Sequence, residues 1–388
     1  MNYFIGFIFG LESSLLLLDQ TFYWRSMITL SVFFVYALNG FNYRRLRRNI
    51  PNSLFFIFVL FLIYFYINYD FSFVPEIYSR WGLTQKIYYI FSTPILLVIF
   101  LLIMGGKDKK HLLEFIFSFS FTFAFLGFFL NIIDFHGTEN ENFLAVRFLN
   151  LVPLLFLFYR SIFTKIFLFL MIFFIIEYFN SRTILAAILF FIFLYSIRGI
   201  IFKSKKIFYL INFSACLTLS VFPVLFLLAF QEDTFLTSIF LSDEKGVDGR
   251  FLIWAEILLR ISESPNLFIG NGSNHDTLYY ESEFFGRNLS SHNMLLETIF
   301  RLGLLGYFFM ILILFGLLNF CYQKKHIYSA QLAWITLICG MFLASLYEFI
   351  LFDGSGILNN VIFWFTLATL FCNKDEANNN SFSSKIFS

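Results

Sequence analysis

The sequence predicts an all-α protein, a polytopic transmembrane helical bundle of about 12 spans with both termini on one inner side. Three observations carry that prediction. Hydrophobic residues fill 59% of the 388 positions and charged residues only 13%, with a mean hydropathy of +0.77, whereas soluble globular chains carry roughly 25% charged residues. Apolar runs close to the ~20 residues that cross ~30 Å of hydrocarbon recur along the whole chain. Finally, most Lys and Arg collect in the polar breaks that such a path leaves on one side.

Taken in order, the runs of the first half are 2–18, 22–41, 52–69, 87–104, 112–133 and 148–160. Those of the second half are 163–180, 183–198, 207–230, 294–320, 328–351 and 355–372. The first run has neither a basic segment before it nor an A-x-A cleavage pattern before Asp19, so it is expected to stay as a span. The 63 Phe and 20 Tyr suit lipid-facing helices but carry no functional weight, because a coding bias alone would produce them. Cys216, Cys321, Cys339 and Cys372 fall in or at the ends of apolar runs without paired spacing, so neither a zinc site nor a disulfide framework is indicated. No internal repeat or linker divides the chain. One membrane domain is expected over 1–372, including a long outer loop at 231–293, followed by a polar, disordered inner tail at 373–388.

Orientation follows from the basic clusters Arg44, Arg45, Arg47, Arg48; Lys107, Lys109, Lys110; Arg160, Lys165; Arg198, Lys203, Lys205, Lys206; Lys324, Lys325; and Lys374, Lys385. All fall on one side of the twelve-span path, which is therefore read as cytoplasmic. Arg25, Arg80, Lys86, Arg147, Arg182, Lys245, Arg250, Arg260, Arg287 and Arg301 sit against that rule. Arginine on the outer side needs a reason such as an anionic ligand, an acidic partner or an interfacial anchor. Nothing forms a basic patch suited to nucleic acid, so no nucleic-acid partner is expected.

The segment from Gly249 to Gly306 is polar and diverse, unlike the rest of the chain. Phe251, Ile253, Trp254, Ile257, Leu258 and Ile261 recur at helical spacing, which predicts an amphipathic helix lying on the outer membrane surface. Arg250 would occupy its first turn, where free N–H groups and the helix dipole favour an anion. Gly270-Asn271-Gly272 allows a tight turn or a close backbone approach to a ligand. His292 stands where the loop enters the next span, as a base whose pKa of ~6.5 lets it take a proton from a hydroxyl. Asn293 would hold a sugar hydroxyl or cap the following helix.

The Gly-Arg-x-x-x-Trp start at Gly249, Arg250 and Trp254, the Gly-x-Gly turn and the His-Asn step into a Gly-containing helix together resemble the C-terminal region of the O-antigen polymerase and ligase superfamily. Ser181-Arg182-Thr183 resembles that family's shorter, earlier element. The resemblance covers motifs across residues 180 to 310 together with the overall topology. It implies a GT-C-like fold and a metal-independent, inverting glycosyltransferase at the periplasmic face of the bacterial inner membrane. The implied donor is an undecaprenyl-diphosphate-linked oligosaccharide, with no cofactor. Arg182 and Arg250 would bind the donor diphosphate and His292 would activate the acceptor hydroxyl, while Arg147, Arg287, Asn293 and Trp254 would contact substrate. Membrane lipids and a chain-length regulator are the further partners expected. The chemistry agrees: guanidinium forks pair with phosphate oxygens, stay charged, and would steady a diphosphate leaving group. The chain has no Asp-x-Asp pair and no GxxxxGK[ST] loop, so neither a metal-bound nucleotide sugar nor ATP is expected.

Plainer readings stand beside each residue. Arg182 could anchor at the interface or pair with Glu177, Arg250 could pair with Asp248 or Glu244, and His292 could serve only as a cap. For Arg301, pairing with Glu297 one turn earlier is the favoured reading. Among functions, polymerase is preferred over the ligase that delivers glycan to lipid A-core. A transporter would need ionisable groups near mid-membrane, where Glu12 is the one clear carboxylate. A purely structural partner of a polysaccharide machine would tolerate loss of Arg182, Arg250 and His292.

Overall fold

A computed structural model describes residues 3, 4, 6–8, 31, 34, 35, 38, 41–69, 82–106, 118, 149, 152–154, 156, 157, 166, 170, 182–217, 254, 256–258, 260–262, 264, 266–272, 280–282, 287–289, 293–346 and 357–372. Helix dominates them. Helices α1 (Tyr43–Asn49), α2 (Asn52–Ile67), α3 (Gly82–Gly105), α4 (Arg182–Lys203) and α5 (205–217) precede the polar segment, which adds helical positions between 254 and 262. Helices α6 (Met294–Gln323), α7 (Tyr328–Leu346) and α8 (Ile357–Cys372) follow it. Among the described residues, Leu185–Lys203 and Met294–Gln323 are long and apolar enough to cross a membrane, and the bent pair α1–α2 makes a third candidate. These features are consistent with a membrane protein. The expected spans at 2–18, 22–41, 112–133, 148–160 and 163–180 fall mostly outside the described residues, and the positions described there are helical apart from Phe41.

Three elements differ from the sequence reading. The basic stretch before residue 52 is a helix of its own, because Asn42 caps it by accepting from the Arg44 and Arg45 N–H groups at 2.9 and 3.4 Å. Arg47 and Arg48 occupy its last turn, where the helix dipole favours cations. Pro51 then holds Ile50 extended, and the chain turns by 108° into α2. The second difference lies in the polar segment, where Tyr280–Ser282 (β1) and Arg287–Leu289 (β2) form an antiparallel ladder with Tyr280 opposite Leu289. The fold is all helical, as expected, apart from this one short ladder. The third difference is a break at Gly303 inside α6, where continuous helix was expected.

Packing orders the helices. Helix α2 runs antiparallel to α6: Leu54 lies where a Cβ on Gly316 would touch it, and the Tyr64 ring stacks 5.6 Å from that of Phe309. Helix α8 lies along α3, with Phe100 edge-on to Trp364 at 5.4 Å and the Cys372 thiol against the Ile103 carbonyl. Helix α7 runs antiparallel to α4, pairing Tyr195 with Tyr328 and Phe190 with Phe342. The buried Trp334 indole donates to the Asn212 side-chain oxygen on α5 at 2.7 Å. In lipid, such close packing and interhelical hydrogen bonds hold helices together, since the tails are as apolar as the helix faces.

The same contacts collect the charged ends. Arg45 donates to the Gly106 carbonyl, Phe371 of α8 packs on Phe320 of α6, and Phe208 of α5 packs on Tyr322. Arg44–Arg48, Lys203–Lys206 and Lys324–Lys325 thus share one end of the bundle. There Arg198 lies 3.8 Å over the Tyr195 ring and donates to the Tyr195 carbonyl.

Candidate functional site

The polar motifs meet at the end of the bundle opposite the basic one, and the break in α6 explains how. Gly303 adopts φ 66°, ψ −173°, which takes the backbone out of the helix and strands peptide groups on both sides. In a membrane such groups must find partners within the protein, at a cost of several kcal/mol each if they do not. Residues 266–272 supply them. The N–H groups of Leu304 and Leu305 donate to the Leu267 and Phe268 carbonyls at 3.0 and 3.1 Å. On the other side, the Asn271 and Gly272 N–H groups donate to the Phe300 and Arg301 carbonyls, both at 3.0 Å. The Asn271 side-chain amide adds a second donor to Phe300, also at 3.0 Å.

Tyr64 of α2 closes the joint. Its hydroxyl lies 2.5 Å from the Leu302 carbonyl and 3.1 Å from that of Ile269, so one O–H group faces both the break and the inserted loop. The backbones approach too closely for side chains. A Cβ on Gly270 (φ 81°) would overlap the Arg301 carbonyl and the Gly303 nitrogen, and one on Gly303 would overlap the Phe268 carbonyl. The Gly-x-Gly turn is therefore a docking element for the helix that follows His292, an arrangement the sequence did not disclose.

Next to this joint, the helical positions at 254–262 bury Trp254, Ile257 and Ile261 against Leu296, with Leu267, Ile299 and Phe300 around them. The amphipathic face was expected to rest on the membrane surface. Instead it packs on the first turns of α6, because that half-helix offers its own apolar residues to it. Glu256 is buried on the same stretch and accepts from Arg260 at 3.1 Å. Removing one partner of such a buried pair costs stability.

Of the residues expected to act, Asn293 and Trp254 are described in full. Asn293 is completely buried and caps α6, its side-chain oxygen accepting from the Leu295 and Leu296 N–H groups at 3.0 and 3.2 Å. Trp254 is 3% exposed within the apolar cluster. Arg182 is the first residue of α4, and Arg287 opens strand β2. His292, Arg250 and Arg147 lie outside the described residues. Glu297, Thr298 and Arg301 are all buried on the first half of α6. Among the described residues, no three His, Cys, Asp or Glu side chains gather to hold a metal. Sequence reasoning missed Tyr64, one aromatic among many in an apolar run; Asn68 one turn on, whose amide donates to the Tyr64 carbonyl at 3.1 Å, was its faint signal.

Fold and site together describe a helical chain with a few helices apolar enough to cross a membrane and a polar segment docked around a broken helix. Comparison with protein-family models, with curated proteins and with solved structures finds no match.

Proposed function

We propose that the chain is an O-antigen polymerase: a membrane glycosyltransferase of about 12 spans, GT-C-like, that joins undecaprenyl-diphosphate-linked repeat units at the periplasmic face of a bacterial inner membrane. One observation above all supports this reading. The Trp254 stretch, the Gly270–Gly272 turn and the Asn293 helix start, which carry the resemblance as separate motifs, pack into one unit at the end away from the basic cluster.

In the proposed reaction, Arg182 and Arg250 hold the donor diphosphate, with Arg147 and Arg287 as further contacts to donor or acceptor. His292 takes the proton of the acceptor hydroxyl as its oxygen attacks the anomeric carbon. The anomeric C–O bond breaks with its electron pair going to the diphosphate, whose charge the arginines stabilise. The proton rests on the imidazole and the polyprenyl diphosphate departs. Asn293, next to the base in sequence, caps the helix that follows, and Trp254 packs its indole in the apolar cluster against that helix.

The test is complementation of a deletion strain with wild type and with Arg182→Ala, Arg250→Ala and His292→Ala, reading surface glycan on gels at matched membrane levels. The expected result is core bearing a single repeat unit in the deletion and in each variant. Bare core with accumulating lipid-linked polymer would assign a ligase instead. Full restoration by all three variants would remove the catalytic reading and favour a transporter or structural role.

A further inference from the structure

The inserted loop carries a feature that neither the helix break nor catalysis requires. Leu267 turns inward to the Trp254 cluster, but the next two residues, Phe268 and Ile269, are 72% and 50% exposed. Two large apolar side chains at the tip of a turn forgo much of the free energy of burial if water surrounds them.

Their level along the molecule follows from α6. From the break to Gln323 the helix has roughly 20 residues, so it is ~30 Å long, which is the thickness of the hydrocarbon layer. Lys324 and Lys325 end it at the basic side, so Leu304 and Leu305 stand at the opposite edge of the hydrocarbon. The Phe268 carbonyl accepts from the Leu305 N–H at 3.1 Å, which fixes the tip of the turn at that same edge. Leu305 and Phe308, one turn apart on the neighbouring flank of α6, are also exposed, at 41% and 55%. Asn266 and Asn271, on either side of the tip, are polar and exposed, as suits the headgroup layer.

We propose that Phe268 and Ile269 form a membrane anchor: the turn inserts among lipid acyl chains of the leaflet on the side away from the basic end. It thereby pins the outer segment, residues 254–272 with the first half of α6, onto the bilayer. This half-helix has about nine residues, so its start at Asn293 lies within ~14 Å of the anchored joint. The anchor does not depend on the glycosyltransferase reading.

The test uses the full chain in vesicles of phosphatidylethanolamine and phosphatidylglycerol, with Phe268 replaced by the photocrosslinking p-benzoylphenylalanine and, separately, Phe308 replaced in the same way. Acyl-chain adducts identified by mass spectrometry at both positions are expected. Adducts at Phe308 without any at Phe268 would overturn the anchor, as would a crosslink from Phe268 to a second copy of the chain. As an independent measurement, Phe268→Trp should add fluorescence that lipids brominated near the headgroup quench. Added fluorescence untouched by brominated lipid would also overturn it.

Discussion

Gly270 and Gly303 face each other across the joint, each with positive φ and each leaving no room for a methyl group against the other's strand. A left-handed conformation costs an L-residue about 1–2 kcal/mol before any overlap is counted. Gly270→Ala and Gly303→Ala should therefore sharply lower the yield of monodisperse protein and its thermal midpoint. Gly199→Ala is the control: that glycine lies in α4 with open space around its Cβ position, so the change should be neutral or stabilise by up to about 1 kcal/mol. Equal losses at all three glycines would mean that the joint has no special demand.

At the scale of elements, α6 is two helices joined by another segment's backbone. The first half, before Gly303, leans on the stretch at 254–262, and Trp254 against Leu296 is the centre of that contact. Trp254→Ala should cost about 3–5 kcal/mol in the segment around residues 254–272. Limited proteolysis at residues 254–272 should detect it before the helical bundle melts. Combined with Leu296→Ala, the two losses should fall short of additive by roughly 0.5–3 kcal/mol, as expected for side chains in direct contact. Strict additivity would place Trp254 elsewhere, with its indole free for substrate.

For the whole molecule, the basic residues of α1, α4, α5 and the α6–α7 turn share one end, and the 266–272 joint sits at the other. If the positive end is cytoplasmic, a membrane-impermeant maleimide applied to spheroplasts should label Asn266→Cys and spare Lys206→Cys until the membrane is opened. Both positions are exposed. Wild type supplies the background, with Cys321 and Cys339 buried and Cys216 and Cys372 partly so. The reverse pattern would put the joint on the cytoplasmic side and exclude transfer from a donor displayed outside.

Much of the architecture was legible in the sequence. Helices fall at the expected spans 52–69, 87–104, 183–198, 294–320, 328–351 and 355–372, because span length and charge placement are local properties set by bilayer thickness and by the rarity of buried charge. The 249–306 island itself was also visible as a change of composition. The use of its parts was not. Gly270 and Gly303 are 33 positions apart, and Tyr64 is more than 200 from Ile269 and Leu302, so no periodicity could join them. Asn293 was left between sugar contact and cap, and its buried side chain serves the cap. By itself the sequence determined the helical runs and, among the described residues, the basic ends that gather together, since each depends on the affinity of short segments for water or lipid. Only the tertiary structure decided that α6 breaks at Gly303 and that a distant loop heals it. A stranded peptide group must find its hydrogen-bond partner in three dimensions, wherever the chain can supply one.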